Sequence, residues 1–498
     1  MENRFNLVDE PWIPVADKGL VSLRQVFSEP ELRGLGGNPV HKLALMKLLL
    51  AIAQATVTPE NDEQWRAITP AALADSCLTY LTKWHDRFYL YGEKPFLQMP
   101  AIQAAKTQGY GAVLADISTG NTTLLSQIQR EKPLSDADKA LVLLTLMAFA
   151  LSGKKTDNSI VLSEGYSGKT NAKGKPATSK PGPSVAHMGL LHSHLTGADL
   201  HTSLYLNLLT REQVSRMAIY PGGVGTPPWE QMPEGEDCPT ARKLKSSIMG
   251  RLIPLSRFCL LGDSSLHYSE GLAHAGYKDG GRDPTMAVNG SGKEPRALWV
   301  DPEKRPWREL IALLGFIGQE HAQGYQCWQL TLTVDRAREV CPRFGIWSGG
   351  LRVSSNAGEQ YVSGSDDFVE SLVWLDGPQL GEVWFSFLKR EMEALDQLAK
   401  SLYSSVMAFF REQKVDGAKL AAHATQLFWQ LCERDFQTLV AGCDNDEQCR
   451  ELRLRFSGYL RQAYDHFCPQ STARQLDAWA KYRPNLSGYL KKSVQQEA

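Results

Sequence analysis

The chain has 498 residues, 43% of them apolar, and a formal net charge of −1. That length exceeds what one hydrophobic core sustains, so two or three domains are expected, and near neutrality excludes wholesale electrostatic attraction to nucleic acid while leaving room for a local basic channel. No apolar run reaches the roughly 18 residues of a membrane span, the opening MENRFNLVDEPWIPV lacks a signal core and is expected to be mature sequence, and nine scattered cysteines with no C-x2-C pair favour a reducing cytoplasm over a structural zinc knuckle.

Residues 5–15 alternate apolar and polar before Pro11 and Pro14, which predicts a short strand, a turn at Asp9-Glu10-Pro11 and an anchoring Trp12. Residues 41–55, HKLALMKLLLAIAQA, predict a mostly buried helix. Another is predicted over 70–88, with Leu73, Leu78, Leu81 and Trp84 inward, followed by a turn and an extended piece over 89–100. The polar loop 118–127 carries Leu124 and Leu125, which by composition plug a local core. Ser135 can cap a helix over 135–151, with Asp138 three residues on.

Residues 153–183 hold six lysines, five glycines and three prolines against one aspartate and one glutamate. Glycine costs about 1 kcal/mol and proline about 3 in a helix interior, so this is an irregular, net-positive rail. Its lysines and exposed amides suit a polyanion, although composition alone favours a solvated loop. His187, His192 and His194 invite a metal reading, but no Cys or acid completes a set, and satisfied structural histidines are the expectation. Residues 200–209 fit strand or helix. The three glycines of YPGGVGTPPWE are interleaved with prolines and make a turn, not a phosphate loop. Residues 241–257 bring Arg242, Lys243, Lys245, Arg251 and Arg257 without an acid, a second basic patch. Lys278 and Arg282 follow on a Gly-rich loop, and a helix begins within 309–314.

Residues 327–336 alternate like a strand. Residues 343–364 read as a strand, a Gly349-Gly350 break and a hairpin with its tip near Ser355-Asn356-Ala357-Gly358, a turn that can present an amide to base edges or simply turn. After Pro378, helical patterns recur over 384–410, 416–440, 446–467 and 473–493. The fold class is therefore α+β, a large mixed domain of irregular topology over 1–378 followed by a C-terminal four-helix bundle over 379–498. No paired-carboxylate, H-E-x-x-H, G-x-S-x-G or clustered Asp/Glu/Lys arrangement is persuasive, and the nearest nuclease-like material is Asp279 to Asp283.

In order, FNLVDEPWIPV, FYLYGEKPFLQ (88–98), TGNTTLL (119–125), TGADLHTSLYLNLLT (196–210), TPPWE (226–230) and SGGLRVSSNAG (348–358) resemble the CasA family, the large subunit of the type I-E CRISPR surveillance complex Cascade. The resemblance implies a non-catalytic subunit without a cofactor. Its partners would be the guide-RNA-loaded Cascade subunits, double-stranded target DNA and a recruited helicase-nuclease, with no membrane involved. It further implies a wedge at Ser355, Asn356 and Ala357, where Asn356 replaces the family's longer glutamine, and a minor-groove lysine at Lys278. A glycine loop at Gly165, Gly168 and Gly174 follows from the same resemblance, beside the cations Lys169, Lys173, Lys175 and Lys180. Leu124, Leu125 and Ser126 match a loop that contacts guide RNA and neighbouring subunits. LGDSSLHYSE stands where the family has a cysteine-rich element, so no metal is implied. A structural scaffold and a metal-dependent nuclease are the alternatives.

Overall fold

A helix with no polar face, Pro39–Thr56, forms the centre of the first of two units into which the chain divides, Met1–Leu313 with His321–Leu372. The computed structural model describes residues 2–114, 133–149, 189–318, 324–352 and 367–491. Asn38 Oδ1 accepts from His41 N at 2.9 Å, and Pro39 occupies the first turn, where a missing N–H costs nothing. Leu43 to Ala53 are buried on every side, as a core helix requires. Two polar residues within that helix are buried with partners. Gln54 donates to Leu209 O at 2.9 Å and accepts from Leu209 N at 3.0 Å, and Lys47 pairs with Asp283. Around it pack helices Pro70–Lys83, Asp136–Ala148 and Leu200–Asn207 and the strand Arg343–Leu351.

These neighbours are capped as their sequences dictate. Ser135 and Asp138 form a reciprocal capping box, and Asp199 Oδ1 accepts from Thr202 N at 2.7 Å, which resolves residues 200–209 as a helix. The helix from Pro70 stops at Lys83, short of Phe88, and gives way to a 3-10 turn at His85–Arg87. Strand His192–Thr196 runs antiparallel to Arg343–Leu351, with Trp347 opposite His194 and Gly349 opposite His192, and the strand starting at Phe368 lies on the other side of Arg343–Leu351. A second sheet orders Thr107–Gly109, Ser265–Glu270 and Arg257–Leu261.

The expected strand over 327–336 is corrected. Only Gln326–Cys327 pairs in a sheet, and Trp328–Val340 is a helix. Leu330, Val334 and Ala337, spaced four and three apart, share its buried face, and Gln329 and Arg336 reach the carbonyls of Asn207 (2.8 Å) and Leu208 (2.7 Å). Tertiary packing overrode a period-two pattern that was itself ambiguous.

Among its described residues the second unit, Leu314–Glu320 with Val373–Ala498, is mostly helical and takes in the end of strand Phe368–Asp376. Helix Glu382–Glu412 buries Trp384, Leu388, Met392, Leu395, Leu402, Val406 and Phe409 along one stripe. Helices Ala418–Gly442 and Asp446–Phe467 pack against it and each other, and Asn445 and Thr472 cap the last two long segments. The segment expected as one helix over 473–493 is two, Ala473–Lys481 and Ser487–Lys491, separated around Pro484. Glu391 and Arg453 form a buried ion pair in this unit, with Arg453 Nε 3.0 Å from Glu391 Oε2. No helix among the described residues is long and apolar enough to cross a membrane.

Candidate nucleic-acid interface

Lys278 sits on a single 3-10 turn, Tyr277–Asp279, closed by Asp279 N and Gly281 N, which both donate to Gly276 O at 3.0 and 2.8 Å. Gly280 takes φ +86°, and a Cβ on Gly281 would lie 2.0 Å from Ala275 O, so both positions need glycine. Tyr277 is buried beside Leu190, Met286, Val288 and Ala297, and it meets Trp299 edge-on at 6.5 Å. The adjacent Lys278 side chain remains 60% exposed, and its ion-pair partner is Glu294 at 3.3 Å. A buried aromatic thus fixes the base of the turn while the neighbouring cation reaches solvent.

The other end of this loop enters the core. Arg282 Nη1 donates to Tyr277 O (2.5 Å) and Gly281 O (2.9 Å), and the Tyr220 hydroxyl donates to Arg282 O. Asp283 is buried. Its Oδ2 faces Lys47 Nζ, and its Oδ1 accepts from Thr285 N (3.0 Å) and Thr285 Oγ1 (2.8 Å). Burial alone would raise the Asp283 carboxyl; Lys47, His192 and these hydrogen bonds outweigh it and hold the group well below the usual carboxylate range. Both carboxylate oxygens are therefore engaged, which leaves Asp283 unsuited to a nuclease metal.

The five cations of residues 241–257 do not share a surface. Arg242 pairs with Asp237 at 3.0 Å and Lys245 with Glu236, so acids from the preceding loop answer them. Lys243 is exposed in the last turn of helix Pro239–Lys245, where a cation suits the helix dipole. Arg251 and Arg257 are buried, which corrects the patch expected there. Burial lowers the Arg251 pKa, its Nε and Nη1 have no partner among the described residues, and Arg257 reaches Tyr268 Oη at 2.8 Å and Glu270.

His192 and His194 are buried, and burial depresses them to about 3 and about 4. His194 stacks on Trp347 at 4.9 Å, and His192 Nδ1 lies 2.7 Å from Thr285 Oγ1. Because that hydroxyl already donates to Asp283, His192 carries its proton on Nδ1. No group of three or more His, Cys, Asp or Glu among the described residues could hold a metal ion.

Several candidate positions lie outside the described residues: Leu124, Leu125, Ser126, Gly165, Gly168, Lys169, Lys173, Gly174, Lys175, Lys180, His187, Ser355, Asn356 and Ala357. Arg352 N donates to Asp367 O at 2.9 Å, so the described chain leaves and re-enters at one place around residues 353–366. Two of the distinctive sequence motifs are structural. Phe88 and Phe96 stack at 4.9 Å, Trp229 lies 5.7 and 6.0 Å from them, and Trp229 Nε1 donates to Tyr80 Oη at 2.7 Å. Sequence reasoning missed the partners Lys47, Asp283 and Glu294. The one available signal was a lysine at position 47 inside an otherwise apolar helix.

A family model described as CRISPR-associated protein Cse1 matches residues 6–466. CRISPR-associated protein CasA/Cse1 of Thermus thermophilus is 28% identical over 353 residues, 65% of this chain and 64% of that protein, so the match spans just under two thirds of the relative. The crystal structure of Thermobifida fusca Cse1 superposes with a TM-score of 0.75 at 20% identity, covering 97% of each chain. A chain of a CRISPR RNA-guided surveillance complex superposes at 0.67 with 16% identity, covering 97% of this chain and 99% of that one. By sequence over most of its length, and with the same fold, the chain belongs to the CRISPR-associated Cse1 (CasA) family.

Proposed function

We propose that this chain is the non-catalytic Cascade subunit that reads the short motif flanking the target in double-stranded DNA, promotes strand opening and helps recruit the helicase-nuclease. The observation that carries this reading is Lys278, an exposed cation on a turn whose two ends are anchored in the core. A lysine entering a minor groove meets a degenerate acceptor pattern, which suits tolerance of more than one flanking motif. Ser355, Asn356 and Ala357 would act as the wedge that offsets unstacking with new contacts, roughly 1.4 kcal/mol per base-pair step. Gly165, Gly168 and Gly174 with the neighbouring lysines would follow the backbone, positioning the duplex without reading it. Leu124, Leu125 and Ser126 would dock to guide RNA and adjacent subunits in the cytoplasm. Near-neutral net charge suits a protein that meets DNA only after joining an RNA-loaded assembly.

Chemical probing of unpaired thymines next to the flanking motif tests this directly. The RNA-loaded complex should open those base pairs only when it contains this chain, and Asn356→Ala should reduce the opening. Equal reactivity with and without the chain would leave it a scaffold.

A further inference from the structure

We propose that the buried Lys47–Asp283 pair, with Arg282, is a positioning device for Lys278: it locks the lysine-bearing turn to the central helix. This rests on the reading of Lys278 as a DNA contact. Lys47 lies in the middle of Pro39–Thr56, and its side chain is 2% exposed; that of Asp283 is 7% exposed. A lysine buried in a predominantly apolar helix loses its hydration, so its place there calls for a reason other than core packing. Its ammonium makes two contacts, one to the loop and one to its support: Nζ meets Asp283 Oδ2 and donates to Arg251 O at 3.2 Å.

From Asp283 the anchoring runs both ways along the chain. Toward the C-terminus, Thr285 bonds Asp283 and His192, and Thr285 O accepts from Ser193 N at 2.8 Å, which ties the loop to strand His192–Thr196. Toward the N-terminus, the adjacent Arg282 folds back to bind Tyr277 O and Gly281 O, the carbonyls on either side of Lys278. One of the two carbonyls that Arg282 holds opens the turn and the other follows it, and Arg282 is held in place by its own carbonyl on Tyr220 and by Asp283 next in sequence. A cation that must enter a groove gains from being ordered beforehand, because immobilising a lysine at the moment of binding costs side-chain entropy. Asp279 N and Gly281 N close the turn on Gly276 O, and the Arg282 bonds add a link from that turn to the residue next to the buried Asp283.

The test is a mutant cycle on duplex-DNA binding by the RNA-loaded complex containing the full chain. Three variants are compared: Lys278→Ala, the neutral pair Lys47→Met with Asp283→Asn, and all three substitutions together. The neutral pair removes one buried charge of each sign, and Arg282→Lys supplies a half-buried alternative that loses the clamp if the pair variant does not assemble. The expected result is a loss of about tenfold for Lys278→Ala, with a salt slope lower by about one. The neutral pair and Arg282→Lys should each reproduce most of that loss and lower the slope in the same way, and the combined variant should be no weaker than Lys278→Ala. Full affinity in the neutral pair or in Arg282→Lys, or losses that simply multiply with Lys278→Ala, would overturn the positioning role. An unchanged affinity and slope for Lys278→Ala itself would instead overturn the DNA-contact reading on which it stands.

Discussion

If Lys278 enters the DNA groove as proposed, replacing Glu294 with glutamine should tighten duplex binding by the assembled complex, because this carboxylate would compete with the DNA for Lys278. The charges lie 3.3 Å apart, with side chains 60% and 77% exposed. In water Coulomb's law gives about 1.3 kcal/mol at that distance. Solvent screening and side-chain entropy reduce exposed pairs to roughly 0.2–1 kcal/mol. Releasing the lysine should therefore raise affinity by about fivefold at most, since 1.4 kcal/mol is tenfold. The assay is fluorescence anisotropy of a labelled duplex titrated with complex over a series of salt concentrations. Lys278→Ala should lower the slope of log K against log salt by about 0.9, the value for one phosphate. Glu294→Gln in the Lys278→Ala background should gain far less than it does alone, which separates release of the lysine from loss of a nearby negative charge. An equal gain in both backgrounds would refute the reasoning.

Acid should destabilise the first unit through its buried histidines. An unfolded histidine titrates near about 6.5, whereas burial holds His194 at about 4 and His192 at about 3 in the folded chain. Their folded pKa values are depressed, so the stability from keeping them neutral is complete above about pH 6.5 and is lost as pH falls toward the folded values, about 2 kcal/mol per group by pH 5. His194→Phe, which keeps a ring against Trp347, should flatten thermal unfolding between those pH values, and an unaltered profile would contradict burial as the cause. In the second unit, Arg453→Met should cost up to about 3–5 kcal/mol in denaturant melts by taking from Glu391 its hydrogen-bonded cation and leaving it Arg390 Nε at 3.7 Å, and adding Glu391→Gln should restore most of it. Gly281→Ala places a Cβ 2.0 Å from Ala275 O; DNA affinity should fall with Lys278 displaced, and unimpaired binding would show that the turn's shape is irrelevant.

Much of the scaffold was legible because its signals are local. Asn38-Pro39 ahead of an apolar run, the Ser135–Asp138 box and the Trp384-to-Phe409 stripe each follow from residues within a few turns of one another. Residues 327–336 were misread because Leu330, Leu332 and Val334 alternate, and only the burial of Gln329 and Arg336 against distant carbonyls turns them into a helix. The same limit governed the basic residues. Position along the chain brings Arg242 to Arg257 together, but side-chain direction sends Arg251 and Arg257 inward, while Asp237 and Glu236 neutralise two of the rest. Lys278 could be singled out by its Gly-rich surroundings and its family resemblance. What fixes it could not, since Lys47 is 231 positions away and no pattern pairs it with Asp283.

The central claim is that this chain reads the flanking motif, and a library of duplexes with randomised flanking triplets tests it most directly. RNA-loaded complex reconstituted with the chain should bind a subset of triplets preferentially, lose that preference without the chain, and shift it with Asn356→Ala. Equal affinity for every triplet, with or without the chain, would contradict the account.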